Sequence, residues 1–383
     1  MSPAKSRIRV GVVDHLAQLS GAQLAITRLA DRMRSTHEFV FCFGADGPLV
    51  ERVRSSGHLC VIVPLGSLGS RKIADISPAA DAATHGRELL ATVHRTGRAL
   101  RRHRVDVVYT NSLKAHVYGG MAARALGLPW IAHIRDILQS PYVTPSVRRG
   151  LRFYFSAFRP KAVIANSHAT AAAAPINRLA HVIPSGIADQ RIQTRAVDQR
   201  GSTLGLLGRL EPWKGQHVAV EAVAMLRNEG FEVRLLIGGD AAHGDPAYAG
   251  SLKALATTLG VDDSVKFTGF ETDPYAFFSR SDLALHTSVL PEPFGQVIVE
   301  ALATGCPVVA SNEGGPVETL RNSGAGLLVA PGQPRILADA IRAALSDPES
   351  YAEMSRAAVI RARDFAISRA ATDTASVVKS VLS

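Results

Sequence analysis

Two carboxylates, two cations and a run of backbone amides carry the chemical promise of this chain. In Pro291-Glu292-Pro293-Phe294-Gly295-Gln296-Val297-Ile298-Val299-Glu300, Pro293 and Gly295 open a helical pattern. The free amides of residues 294–297 would point out of its N-terminus, an arrangement that binds phosphate or sugar oxygen. Glu292, just before the helix, can accept hydrogen bonds from sugar hydroxyls. Glu300, two turns in, can take a vicinal diol such as ribose with both oxygens, because an ionised carboxylate only accepts. The competing reading is an ordinary amphipathic helix with two solvated glutamates.

A second cluster, Gly208-Arg209-Leu210-Glu211-Pro212-Trp213-Lys214-Gly215, follows a β-branched and leucine-rich run. Gly208 lets backbone approach a ligand, while Arg209 and Lys214 put two cations in one tight loop, suited to charge growing on a departing diphosphate. A turn with two surface cations is the alternative. Earlier in the chain, Ser20-Gly21-Ala22-Gln23 opens a helix, and capping by Ser20 with Gln23 reaching back accounts for it locally. His133-Ile134-Arg135-Asp136 ends a strand, where a histidine can donate to a hydroxyl or shuttle a proton, or be satisfied by backbone. Asn111-Ser112 and Asn166-Ser167-His168 are further polar strand ends.

These residues need elements to hold them. Ile8–Val13, Phe39–Phe43, Leu59–Val63, Val105–Tyr109, Trp130–His133 and Ala162–Ala165 read as short apolar strands, the kind buried inside a parallel sheet. Helical patterns at Gln23–Met33, His85–His103, Leu113–Leu126 and Val147–Phe158 connect them, giving one doubly wound unit. Pro184–Gly201 breaks the rhythm. Strands then resume at Thr203–Leu207, Val233–Ile237, Val265–Phe267, Leu283–His286, Pro307–Ala310 and Gly326–Val329, with helices at Gln216–Glu229, Ala247–Leu259, Gln296–Thr304 and Pro334–Leu345. Two further helical patterns, Tyr351–Asp364 and Ser368–Val381, are expected to pack back on the first domain. The expected organisation is an α/β chain of two Rossmann-like domains: residues 1–185, a linker over 186–201, a second domain over 202–365, and a returning helix over 366–383. Ligands of such sheets bind beyond the carboxyl ends of the strands.

Of 383 residues, 46% are apolar and 20% charged, which excludes a disordered chain. Residues 1–190 hold 25 Lys/Arg against 11 Asp/Glu, and residues 191–383 hold 18 against 22. The basic first half suggests contact with an anionic surface or substrate. Its charge concentrates in Arg87–Arg104 and in Arg148–Lys161, where cations mix with aromatics as on an interfacial helix; a solvated face explains the same run. Cys42, Cys60 and Cys306 are far apart with no zinc-ligand spacing and read as buried thiols in a reducing compartment. No apolar leader precedes Ile8, and no run approaches the ~20 residues of a membrane span. A cytoplasmic protein is expected, with membrane contact at most peripheral on the inner face.

The two motif blocks of the second half resemble the donor half of the retaining, metal-independent glycosyltransferases of family four, which have the GT-B fold. Ile237-Gly238-Gly239-Asp240, Phe267-Thr268-Gly269 and Gly314-Gly315-Pro316-x-Glu318 fit the same pattern in the same order, and the resemblance spans nearly the whole chain. It implies that Arg209 and Lys214 hold a diphosphate, Glu292 the donor sugar, the amides of Phe294 and Gly295 sugar and phosphate, and Glu300 the ribose. It further implies donor contacts at Gly208, Gly238, Asp240, Thr268 and Gln296. In the first domain, Ser20-Gly21-Ala22-Gln23 is similar to the family's Gly-Gly-x-Glu loop, with Ser20 and Gln23 departing from it, so Gly21 and Ala22 join the donor set. His133 sits where the family places a histidine facing the donor sugar and completes an implied catalytic set with Arg209, Lys214 and Glu292.

The implied substrate is a nucleotide sugar, with UDP the commonest nucleotide of the family, and the implied acceptor is a hydroxyl, lipid-linked and phosphorylated ones among those that fit. No cofactor and no metal are expected; no Asp-x-Asp pair occurs in the sequence. A nucleotide-sugar epimerase on the same fold stays open. So does a non-catalytic basic module for membrane or nucleic acid, which would leave Arg209, Lys214, Glu292 and Glu300 unused. A dinucleotide-dependent oxidoreductase lacks its Gly-x-Gly-x-x-Gly after a strand.

Overall fold

A computed structural model describes residues 7–66, 69, 82–176, 180–195, 201–240 and 244–383. The chain forms two compact units, residues 1–186 with 367–383, and residues 187–366.

The first unit is built on seven strands: β1 (Ile8–Asp14), β2 (His37–Phe43), β3 (Leu59–Ile62), β4 (Val107–Thr110), β5 (Trp130–Ile134), β6 (Ala162–Ala165) and β7 (His181–Val182). All neighbours run parallel, in the order β3-β2-β1-β4-β5-β6-β7. Alternate side chains enter two different cores. Val10, Val12, Phe39, Phe41, Phe43, Val107, Tyr109 and Ile131 face one core; Val13, Val40, Cys42, Val108, Trp130 and Ala132 face the other. Burial on both faces explains why the strands read as unbroken apolar runs. Gly11 lies on the second face, where a β-carbon would fall 2.6 Å from Leu100 Cδ2. The glycine lets the Ala82–Arg102 helix settle onto β1.

The second unit carries six parallel strands, β8 (Thr203–Leu207), β9 (Arg234–Gly238), β10 (Val265–Gly269), β11 (Leu283–His286), β12 (Val308–Ser311) and β13 (Gly326–Val329), ordered β10-β9-β8-β11-β12-β13. Its two faces are likewise dry, Leu204, Leu235, Leu283 and Val309 on one side and Ala284, Val308 and Ala310 on the other.

The structure differs from the sequence reading at the joins. Residues 187–195 are part of the second unit's body: Ile187 is fully buried in its core, the Gln193 amide donates to Ala303 at 2.8 Å, and Arg195 pairs with Asp282 at 3.1 Å. Residues 196–200 of the expected linker lie outside the described residues. Only one of the two late helices joins the first unit. Pro348–Ala362 buries Tyr351, Ala358 and Ala362 in the second unit. Ile367–Leu382 instead lays Ile367, Ala370, Ala371, Val377 and Val378 into the first unit's core beside the Gly21–Met33 helix. β7 and the short helices Pro48–Ser55, His168–Ala173, Pro274–Ser279 and Gly315–Leu320 were not in the sequence reading. Among the thiols, Cys42 and Cys306 are buried, but Cys60 on the edge strand β3 is half-buried. No helix among the described residues is long and apolar enough to cross a membrane.

Candidate functional site

In the second unit the loops after β8, β9, β11 and β12 converge. Lys214 ends a 3-10 turn, Pro212–Lys214, and Gly215 follows with φ +68°. A β-carbon at Gly215 would lie 2.0 Å from the Thr287 carbonyl oxygen, so only glycine lets this loop lie against the one after β11. Two hydrogen bonds lace them together: Val289 amide to Trp213 carbonyl at 2.8 Å and Thr287 Oγ1 to Lys214 carbonyl at 3.0 Å.

That contact brings Lys214 to Glu292. The ammonium donates to Oε1 at 2.8 Å and to Oε2 at 2.7 Å, and lies 4.3 Å from the Trp213 ring centroid. Oε2 also accepts from Ser288 Oγ at 2.9 Å and faces His286 Nε2 at 3.3 Å. Burial pushes the Glu292 carboxyl pKa up, but the Lys214 charge and the His286 hydrogen bond outweigh it and hold the group well below the usual carboxylate range. Arg209, half-exposed, pairs with Glu211 at 2.8 Å, and Glu211 also accepts from Trp213 Nε1. Both cations of the loop thus carry a carboxylate partner.

The Gly314-Gly315 turn braces Glu292 from below. Gly315 donates to the Glu292 carbonyl at 2.8 Å, and a β-carbon at Gly315 would fall 2.5 Å from Phe294 Cα. Gly295, at φ +82°, starts the Gln296–Ala303 helix without a side-chain cap. The amides of Phe294, Gly295 and Gln296 donate to no acceptor among the described residues, nor do the buried Gln296 Nε2 and Oε1 find partners. A helix opening with unused donors is suited to an oxygen-rich anion. Glu300 is buried at 5% exposure on the same helix.

Gly208 and Gly238 share a hydrogen bond, Gly208 amide to Gly238 carbonyl at 2.9 Å. A β-carbon on Gly208 would meet nothing nearer than Lys214 Cδ at 3.9 Å. Thr268 lies at the β-bulge between Phe267 and Gly269, its hydroxyl 3.5 Å from the Ile237 carbonyl. Asp240 directly follows Gly239 at the end of β9. Among the described residues no group of three or more His, Cys, Asp or Glu side chains is placed to hold a metal ion.

The first unit has its own polar cluster at the carboxyl ends of its strands. Asp14, fully buried, accepts from Gln23 Nε2 at 3.1 Å and Asn111 Nδ2 at 2.8 Å. Asn111 Oδ1 accepts from Arg135 Nε at 2.7 Å, and Arg135 Nη1 donates to Ser185 Oγ at 2.8 Å. The capping reading of Ser20 is corrected here: no backbone amide reaches its hydroxyl, which donates instead to Gln23 Oε1. Gly21 and Ala22 begin the helix beside this network, with the Ala22 carbonyl accepting from Asn111 at 3.4 Å. His133 is 3% exposed. Its Nδ1 meets the Tyr109 hydroxyl and its Nε2 is buried without a partner. Burial, with the Arg135 and His116 charges, drives its pKa well below the ordinary imidazole value.

Sequence reasoning missed His286, Ser288 and Trp213. His286-x-Ser288 at a strand end, six and four residues before Glu292, was the available signal. Of the basic run, Arg148 is structural, donating to the Leu138 and Ala173 carbonyls at 2.6 and 2.7 Å. Arg149, Arg152 and Phe153 stand exposed, Phe153 at 77%.

Two parallel-sheet units of this kind are the fold of the GT-B glycosyltransferases. The Glycosyltransferase Family 4 family matches residues 19–191 and the Glycosyl transferases group 1 family matches residues 189–361. The structure superimposes on Anabaena HepE in complex with UDP and glucose, with TM-score 0.82 and 28% identity over 98% of this chain and 100% of that one. In sequence the chain is 34% identical over 189 residues to the D-inositol 3-phosphate glycosyltransferase of Corynebacterium efficiens, 47% of this chain and 43% of that protein. It is 29% identical over 276 residues to the 2-deoxystreptamine glucosyltransferase of Streptomyces kanamyceticus, 64% and 68% of the two chains. The match thus spans less than half the length of the inositol-phosphate enzyme. The chain belongs to glycosyltransferase family 4.

Proposed function

We propose that the protein transfers a sugar from a UDP-sugar to an acceptor hydroxyl, with retention of anomeric configuration and without a metal ion. The observation that carries this is Lys214, bonded to both oxygens of Glu292 beside the free amides of Phe294 and Gly295. The solved complexes of Anabaena HepE with UDP and with UDP-glucose support the donor class.

Arg209 and Lys214 would take the diphosphate, the helix-opening amides with Gln296 would take phosphate and sugar oxygens, Glu292 a sugar hydroxyl, and Glu300 the ribose diol. Gly208, Gly238, Asp240 and Thr268 would line the nucleotide. As the bond from the anomeric carbon to the diphosphate oxygen breaks, the electron pair leaves with UDP, where two cations stabilise it. The acceptor oxygen then bonds to the oxocarbenium-like carbon on the same face, and its proton passes to a phosphate oxygen. His133, neutral by burial, would serve as a hydrogen-bond donor rather than a charge, with Gly21 and Ala22 supplying amides. The exposed Arg149, Arg152 and Phe153 favour peripheral contact with an anionic membrane.

Calorimetry with UDP and UDP-glucose in the presence of chelator tests the donor half. Binding that is lost in Lys214→Ala upholds it; no binding of any nucleoside diphosphate would shift the reading to a basic binding module. The anomeric coupling of the product, read by NMR, tests retention.

A further inference from the structure

Glu292 has more donors than a resting ion pair requires. Lys214 occupies both of its oxygens, yet Oε2 is also held by Ser288 Oγ at 2.9 Å and faces His286 Nε2 at 3.3 Å. The three donors differ in how firmly they are anchored. Lys214 reaches Glu292 through a flexible four-carbon stem from another loop. His286 is the last residue of β11, with 4% of its side chain exposed, and Ser288 is 1% exposed two residues later. A ligand diphosphate can draw the lysine away, but it cannot draw away a strand end. His286 Nδ1 is buried and has no partner among the described residues, so local hydrogen bonding within the strand does not account for this imidazole. Among the described residues its ring has polar neighbours in hydrogen-bond range at Glu292 and Ser288, both facing Nε2.

We infer that His286 and Ser288 are positioning residues that keep Glu292 aimed at the donor sugar while Lys214 exchanges Glu292 for the donor diphosphate. With the lysine gone, Oε1 is freed to accept from a sugar hydroxyl, and Oε2 keeps its two fixed donors. The carboxylate is therefore neither turned nor left unsatisfied by the exchange. This rests on the sugar-binding role proposed for Glu292.

The test separates sugar recognition from nucleotide recognition. Dissociation constants for UDP and UDP-glucose are measured on the wild type, Ser288→Ala, Ser288→Thr, His286→Ala and Glu292→Gln, and on Ser288→Ala combined with Glu292→Gln. Removing a hydrogen bond to a charged group should weaken UDP-glucose binding roughly tenfold, with UDP, which has no sugar for Glu292 to hold, within about twofold of wild type. Ser288→Thr restores the hydroxyl and the affinity. In the Glu292→Gln background the Ser288 change should bring no further selective loss. Equal weakening of UDP and UDP-glucose, or no weakening of either, overturns the positioning role and leaves the donor assignment standing. A wild type that binds neither ligand overturns the donor assignment itself. Where His286→Ala does not fold, the Ser288 pair decides.

Discussion

Gly314 occupies a place that no other residue could take beside Glu292: at φ +72°, its missing β-carbon would sit 2.2 Å from the Glu292 carbonyl oxygen. The two residues form a bridge between the loops after β11 and β12, and Gly315 completes it with its amide. The reach of the Glu292 carboxylate toward Lys214 is set by backbone on the other side of the residue.

Gly314→Ala should therefore strain the loop as well as clash, costing roughly 1–3 kcal/mol of stability. Thermal denaturation would show it as a lowered midpoint. A midpoint equal to wild type would mean that the loop has room to retreat.

Ionised Glu292 contributes stability because its folded pKa is depressed below the unfolded value of about 4.3. That contribution is fully present above the unfolded pKa and is lost as pH falls through the folded one. The stability difference between wild type and Glu292→Gln should hold steady above about pH 5, shrinking as the solution is acidified below the ordinary carboxylate pKa. Denaturant titrations at a series of pH values measure it; a difference independent of pH contradicts the ion pair.

His133 is enclosed by Tyr109 and the Arg135 network and stays neutral where a free imidazole would titrate. NMR of the ring should show no chemical-shift change centred near pH 6.5. A normal titration would mean that the ring is open to water.

Val378, 1% exposed, anchors the Ile367–Leu382 helix in the first unit. Val378→Asp would bury an unpaired carboxylate and should cost roughly 3 kcal/mol or more. Limited proteolysis is expected to open the first unit in this variant and to leave residues 187–366 resistant.

Much of this was legible along the chain because parallel strands buried on two faces announce themselves as apolar runs. The Glu292 to Glu300 spacing survives folding unchanged because it lies on one loop and one helix. What the sequence hid depended on distant pairing. β7 has two residues and is a strand only by leaning on β6. Residues 187–195 look like a tether until Ile187 and Arg195 find their partners some 80 or more residues later. Ser20 had the form of a cap, but Asp14 captured Gln23 and left the serine bonded to that side chain. The pairing of Lys214 with Glu292 joins positions 78 apart, and only the seating of Gly215 under Thr287 makes it possible.

The return of residues 367–383 to the first unit has a consequence for how the protein is made. The second unit is inserted into the first, so a ribosome finishes all of residues 187–366 before it can supply the helix that seals the older half. The unit begun first is therefore completed only after the one inserted into it, and until then the flank of the Gly21–Met33 helix that receives residues 367–382 lacks its cover and lies within reach of chaperones or a neighbouring nascent chain.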